Sequence, residues 1–481
     1  MDDDDNQQQP IDEDANPENQ LAELDDEADA EFVVIDDDDD DDDDSDEATS
    51  STSSESGEEG GVNMGARQSR ARCESITFNQ NLPATHSYLG ADLEDTGGGA
   101  SWVEPGSILD NVPIFPVAGL ILMPGQTLPL QSLHPHRISM FRRIIERHSM
   151  FAVLTLRGGP MDLMGDMMRQ EMVNVGTLAQ VVAFKESEDV LTTIKIRAVG
   201  RQRFMLVELK HTIDGGPCGK VRILPEICLG DALSCATPDS WQKFRLNKSF
   251  NRSQKRYIAS CFTPTPSFVY RQNDAEVIKS QLVAELSQWY DPTRVAPLAD
   301  NLVDFSFWVA TNLPIDDDNK LFLLGINCTV QRLRCELYLI RQCEDLCCRS
   351  CSLRICKKRD VFSMSVDGPM GAYVNPSGHV HEMLTVYDVN HSGILSRGRS
   401  SIESSWFPGY AWTIQVCARC HAHMGWKFSA REDGLQPKKF WGLTRSAIWP
   451  MMREPTDDDA QADEQHAEAA RDDVTHRPLR L

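Results

Sequence analysis

Sustained apolar patterning begins near Asn111, and from there two rhythms follow one another along the chain. Pro113 to Leu130 reads "PIFPVAGLILMPGQTLPL", short apolar runs broken by Pro and Gly, which predicts tightly turning strands. Pro135 to His148 sets Ile138, Met140, Phe141, Ile144 and Ile145 against Arg142, Arg143 and Arg147, the spacing of an amphipathic helix. Phe151 to Arg157 reads as another strand. Val175 to Phe184, Val190 to Val199, Arg203 to Lys210 and Lys220 to Leu224 alternate or are β-branched, separated by "KESED", "GRQR" and "DGGP". They predict an antiparallel meander, curled or closed into a small barrel, with the helix packed against it.

After about Asp231 the period lengthens. Ala275 to Tyr290 and Leu298 to Leu313 carry apolar residues at helical spacing. A third, longer helix is expected from Asp316 to Asp318, whose carboxylates suit a helix N-terminus, through Leu321, Leu324, Leu333, Leu337 and Ile340 toward Cys343. Beyond about residue 345 strand patterning returns. "AYVNPSGHVHEMLTVYDV" predicts two strands around Asn375 to Gly378, and "YAWTIQV" predicts a third.

Charge changes this picture only at the ends. The first 60 residues hold 28 Asp and Glu and no Lys or Arg, so the net charge of -27 belongs to that tail and the remainder is within one charge of neutral. The unbroken Asp36 to Asp44 run repels itself too strongly to pack, and disorder is expected there, as it is past residue 453. Val62 to Gly106, rich in Gly, Ser and Arg, reads as a linker. The start of the chain has neither the basic nor the apolar region of a signal peptide, and no stretch approaches a membrane span. The expected location is nucleus and cytoplasm. From 61 to 453 the excess of basic residues is too dilute for a nucleic-acid patch.

The 14 cysteines matter through their spacing. Cys348 with Cys351, and Cys417 with Cys420, form two C-x-x-C pairs, each able to aim two thiolates at one ion from a single turn. Together they predict one structural Zn2+ in a closed four-sulfur shell. Cys347 and Cys356 could compete as ligands, and redox dithiols are the alternative; Cys348 is preferred because it alone gives the two-residue knuckle. His421 and His423 are read as ordinary strand residues. Five of the nine Trp lie between 406 and 449. Trp406, Trp412 and Trp426, with Tyr410 and Phe428, are either plain core or an aromatic cage for a compact ligand.

These residues resemble the cereblon family. The shared wording is "LMPGQTLPL" (Leu122 to Leu130), "VGRQRF" (Val199 to Phe204), "QRLRCEL" (Gln331 to Leu337), "AYVNP" (Ala372 to Pro376), "SWFPGYAW" (Ser405 to Trp412), "GWKF" (Gly425 to Phe428) and "KFWGLTRSA" (Lys439 to Ala447). The resemblance implies an α+β multidomain chain. An acidic tail and linker over 1–110 would precede a mostly antiparallel Lon N-terminal-like domain over 111–344. A zinc-bound all-β tent, the family's thalidomide-binding domain, would follow over 345–452, and a loose tail over 453–481. The helical part, about 231–315, would dock the damage-specific DNA-binding protein, adaptor of the cullin-4 RING ubiquitin ligases. Cys348, Cys351, Cys417 and Cys420 would ligate the zinc. Trp406, Trp412 and Trp426 would wall a glutarimide or related cyclic imide, with Phe428 as floor and Asn375, Glu403 and Ser404 at the rim. Ser377 and Ser404 stand where vertebrate members carry His, which bears on affinity rather than on the walls.

The function so implied is a substrate receptor without chemistry of its own, directing protein substrates to ubiquitination and degradation. Two rivals differ in kind. A Lon-type protease would need a phosphate-binding loop, and "GGPCGKV" does not match one. A methionine sulfoxide reductase of the zinc type would need a nucleophilic thiol beyond the metal, yet no Cys follows Cys420. A Lon-derived peptide binder without a ligase role is the remaining alternative.

Overall fold

The computed structural model describes residues 76–452, apart from positions 91, 98 and 100, the stretches 158–170, 188–191 and 213–215, and scattered positions between 231 and 299. The acidic tail and the tail from 453 onward lie outside the described residues.

The first half contributes strands Glu94–Asp95 (β1), Ile108–Ala118 (β2), Thr127–Ser132 (β3), Met150–Arg157 (β4), Glu171–Met172 (β5), Val175–Ser187 (β6), Thr193–His211 (β7) and Pro217–Ile223 (β8). Strands β6, β4, β2, β8 and β7 bond in that order, and β7 pairs back onto β6, which closes a barrel. Helix Pro135–Glu146 appears where its period predicts and buries Ile138, Met140, Phe141 and Ile144. The Phe141 ring meets Phe151 edge-on at 5.5 Å in the core between the helix and the barrel wall.

Two details depart from the expected meander. Strands β2 and β4 are parallel, because β3 and the helix between them carry the chain back to the same end. And "GRQR" is not a turn. A single 19-residue strand, β7, runs straight through it. Gly200 is there for close approach, since a Cβ would meet the Met123 carbonyl at 2.5 Å. Gln202 points inward and bonds both the N–H and the carbonyl of Val103, each at 2.8 Å. Arg203, fully buried, donates to the carbonyls of Leu324, Pro225 and Ile326. The polar run that imitates a turn is satisfied from the inside.

Those same carbonyls explain a second difference. The single helix expected past Asp316 is two, Asp317–Gly325 (α7) and Thr329–Gln342 (α8). Helices before them are Asn81–Ala84 (α1), Pro135–Glu146 (α2), Arg252–Ser260 (α3), Ser267–Gln272 (α4), Ala275–Leu286 (α5) and Leu302–Asn312 (α6). The Ile326 carbonyl, freed at the break, accepts from Arg203 at 2.9 Å and from Arg332 at 2.7 Å. Asp316 caps α7 as its charge predicts, accepting from the Asn319 N–H at 2.7 Å.

The second half begins without a linker, because α8 ends at Gln342 and strand Cys343–Cys348 (β9) starts at the next residue. Strands β9, Arg354–Lys357 (β10) and Ile448–Met452 (β17) form one sheet. Met370–Val374 (β11), Val380–Val386 (β12), Ile394–Ser401 (β13), Tyr410–Cys417 (β14), His423–Ala430 (β15) and Lys439–Thr444 (β16) form another, ordered β11-β12-β16-β15-β14-β13. One apolar core joins α5 to α8 with Leu346, Leu384 and Leu443 of these sheets.

The join also holds charge. Lys320 on α7 pairs with Glu382 on β12, and Arg445 pairs with both Glu382 (2.6 Å) and Asp317 (2.6 Å). Each side thus lends one acid and one base, and Lys320, Glu382 and Arg445 are essentially sealed from water. Arg445 also reaches the Gly119 carbonyl of the barrel.

The expected linker is corrected from residue 76 onward. Phe78 packs against Phe407 and Tyr410, Leu89 joins the core between helix and barrel, and β1 pairs with β6. This stretch lies across both halves, held by apolar anchors too widely spaced to show a period.

Candidate metal centre and ligand site

The two C-x-x-C pairs adopt one geometry twice. Cys348 closes β9 and Cys417 closes β14, so each strand delivers its first sulfur at the start of a turn. Four residues on, Ser352 (φ 59°) and His421 (φ 57°) are left-handed, and each donates its N–H to the carbonyl of the first cysteine. His421 therefore belongs to the knuckle, correcting its expected place on the strand. His423 does open β15.

The four sulfurs converge. Cys348 Sγ lies 3.6 Å from Cys420 Sγ, Cys351 Sγ lies 3.5 Å from Cys417 Sγ, and all four fall within 4.8 Å of one another. Zinc–sulfur bonds of about 2.3 Å in a tetrahedron place sulfurs about 3.8 Å apart, so the set fits one zinc with no position left for water. Neither Cys347 nor Cys356 belongs to the group. Burial pushes the Cys348 thiol up to about 12. At Cys417 burial is outweighed by the backbone N–H groups of Cys420 and Arg419, and its thiol falls to about 7. Such a spread is relieved when one dication takes all four thiolates.

The sheet that carries Cys417 also carries the aromatic residues. Trp412 lies opposite Phe428 and Ile414 opposite Trp426 on β14 and β15, so period-two alternation sends all four to one face. Trp406, from the loop before β14, stands nearly perpendicular to Trp426, at 80° with ring centres 4.8 Å apart. Its indole N–H donates to the Val374 carbonyl at 3.0 Å, and that of Trp412 to the Glu403 carbonyl at 2.8 Å. Two indoles are thereby fixed in rotation, one to the β11 hairpin and one to the loop before β14.

The remaining expected residues fall around them. The Asn375 side chain accepts from the His379 N–H at 2.7 Å and shapes the hairpin turn. Ser404 is left-handed, φ 53°, between Glu403 and the walls. Phe428 stacks on Phe440 and is 1% exposed, which makes it support beneath the walls rather than open floor. Three neighbours were missed. Tyr373 stacks on Trp406 at 5.3 Å, while His381 and His423 meet Trp426 edge-on at 5.0 and 4.8 Å. Burial, with His379 and His423 nearby, lowers His381 to about 3, so it presents a neutral ring. Alternation along "GHVHEM" could have placed His381 on the aromatic face.

Comparison with known proteins then decides the lineage. Residues 111–342 match the ATP-dependent protease La (LON) substrate-binding domain family, and residues 345–461 match the Yippee zinc-binding/DNA-binding/Mis18 family. Protein cereblon of Gallus gallus is 38% identical over 400 residues, spanning 80% of this chain and 87% of that one. Protein cereblon of Danio rerio is 40% identical over 395 residues, 78% and 89% of the two chains. The chain belongs to the cereblon family. A solved Lon N-terminal domain protein from Xanthomonas campestris covers 47% of this chain at 17% identity, with a TM-score of 0.27. Within a cereblon chain the four-cysteine centre is structural, closing two open sheets at the ends of β9 and β14.

Proposed function

We propose that this cereblon-family chain is the substrate-recognition subunit of a cullin-4 RING ubiquitin ligase, at work in nucleus and cytoplasm. The observation that carries the reading is the perpendicular Trp406 and Trp426 pair, which shares an aromatic cluster with Trp412 on a zinc-stapled sheet. Flat apolar walls at right angles suit a small, planar, neutral ring, and a cyclic imide adds donors and acceptors that the rim of Asn375, Glu403 and Ser404 can meet.

The chain's own residues bind and position and perform no bond chemistry. Cys348, Cys351, Cys417 and Cys420 hold the zinc, whose contribution is to fold the module. The indoles exclude water from the captured ring. The helices within 231–315 dock the damage-specific DNA-binding protein adaptor, and through it cullin-4 and the RING subunit. Tethering then raises the concentration of a captured protein beside the ubiquitin-charged enzyme, which accelerates transfer without new contacts.

The test is Trp412→Ala in the full chain. Imide binding by calorimetry is expected to vanish while the adaptor still copurifies. Loss of both, or of neither, rejects this division of labour.

A further inference from the structure

A second set of metal-competent side chains stands at the edge of the aromatic cluster and takes no part in the four-cysteine centre. His379 and His381 flank the first residue of β12 and share the face that carries Trp426. Their ring centres are 4.9 Å apart with planes at 59°. Among the described residues no ring nitrogen of either one has a hydrogen-bond partner. His379 is exposed and His381 half-buried, so an ion could reach both from solvent.

The separation is informative. An imidazole nitrogen binds a divalent transition ion at about 2.0–2.1 Å, and the ring centre lies about 1.1 Å behind it. Two imidazoles on one ion at tetrahedral or octahedral angles therefore have centres about 4.5–5.2 Å apart. The His379 and His381 rings, 4.9 Å apart, fall within that interval and, among the described residues, keep their nitrogens free for a shared ion.

We propose that His379 and His381 form a two-imidazole chelate for a first-row divalent transition ion at the rim of the aromatic site, separate from the four-cysteine centre. Imidazole suits nickel, copper and zinc. A pair of ligands leaves the other positions to water or to an oxygen or nitrogen donor of a molecule held against Trp406 and Trp426. His423 lies against Trp426 at 4.8 Å, outside the pair. The inference rests on this geometry and not on the proposed ligase role.

The experiment uses the untagged, zinc-loaded full chain, titrated with nickel(II) while indole emission is followed, because a paramagnetic ion beside Trp426 quenches it. One saturable nickel per chain is expected, with the zinc content unchanged at one. His379→Gln, an exposed change that leaves the fold intact, should weaken nickel about tenfold or more, and His381→Gln should do the same. His423→Gln should leave affinity unaltered. Quenching of His379→Gln equal to wild type, quenching that tracks zinc release, or an equal loss in His423→Gln would each overturn the assignment.

Discussion

The barrel and the zinc module are both built largely of antiparallel strands, yet they solve the problem of exposed sheet edges in opposite ways. The barrel closes on itself through β6 and β7, so its ring of strands has no free edge, and its interior is filled by Ile114, Leu154, Leu178, Phe204, Val221 and Ile223. The zinc module leaves two sheets open, with β11 and β13 at the ends of the larger one, and joins them through four sulfurs. Closure turns one face of each ring strand into the interior. Stapling at one end leaves a face of β14 and β15 available for indoles flanked by Tyr373, His381 and His423. The region stapled by the four sulfurs is thus the region that presents a partly open aromatic face.

The sharpest way to break this contrast is to withdraw the metal. Chelation, or Cys351→Ser, should abolish the near-ultraviolet signal and imide binding of the second half, because structural zinc supplies of order 10 kcal/mol of folding energy. Amide exchange should show the barrel strands still protected; their simultaneous loss would mean the two halves fold as one. A smaller effect is expected from Glu382→Gln, which leaves Lys320 and Arg445 buried with one acid between them. Breaking a sealed pair costs about 3–5 kcal/mol, visible as a large fall in the thermal midpoint. A Lys320→Met, Glu382→Met double variant should recover part of it.

Phe141→Ala tests the other side. A cavity between the helix and the barrel wall should cost about 3 kcal/mol or somewhat more in denaturant unfolding, with imide affinity untouched. If affinity falls with it, the ligand face depends on barrel packing. The smallest effect concerns the segment across both halves. Buried His86 is lowered to about 3 by burial, with Arg197 adding to it. The unfolded chain therefore binds the extra proton first, below about 6.5, and His86 makes stability fall as pH drops from there toward 3, by up to about 1.4 kcal/mol per pH unit. His86→Phe should flatten the stability profile over that window.

How much of this could be read from the chain follows the range of the interactions. The amphipathic helix at Pro135–Glu146, most strands and both knuckles are local patterns, and they lie where spacing places them. The failures are long-range. "GRQR" imitates a turn because its partners, Val103 and the carbonyls at Leu324 and Ile326, are about a hundred residues distant. The interruption between α7 and α8 has the same origin. Residues 76–96 lack a period because they are fixed by single anchors such as Phe78 and Leu89. At the aromatic cluster, tryptophan content pointed to the rings, as plain core or as a cage, while His381 was hidden by its ordinary place in an alternating strand.

The passage from Gln342 to Cys343 has one mechanical consequence. A helix that runs into a metal-bearing strand with no intervening loop leaves the two elements no slack in which to turn independently. Under the proposed receptor role, cargo gripped beyond that knuckle would sweep only a narrow arc, and the lysines open to modification would be selected by orientation as much as by sequence.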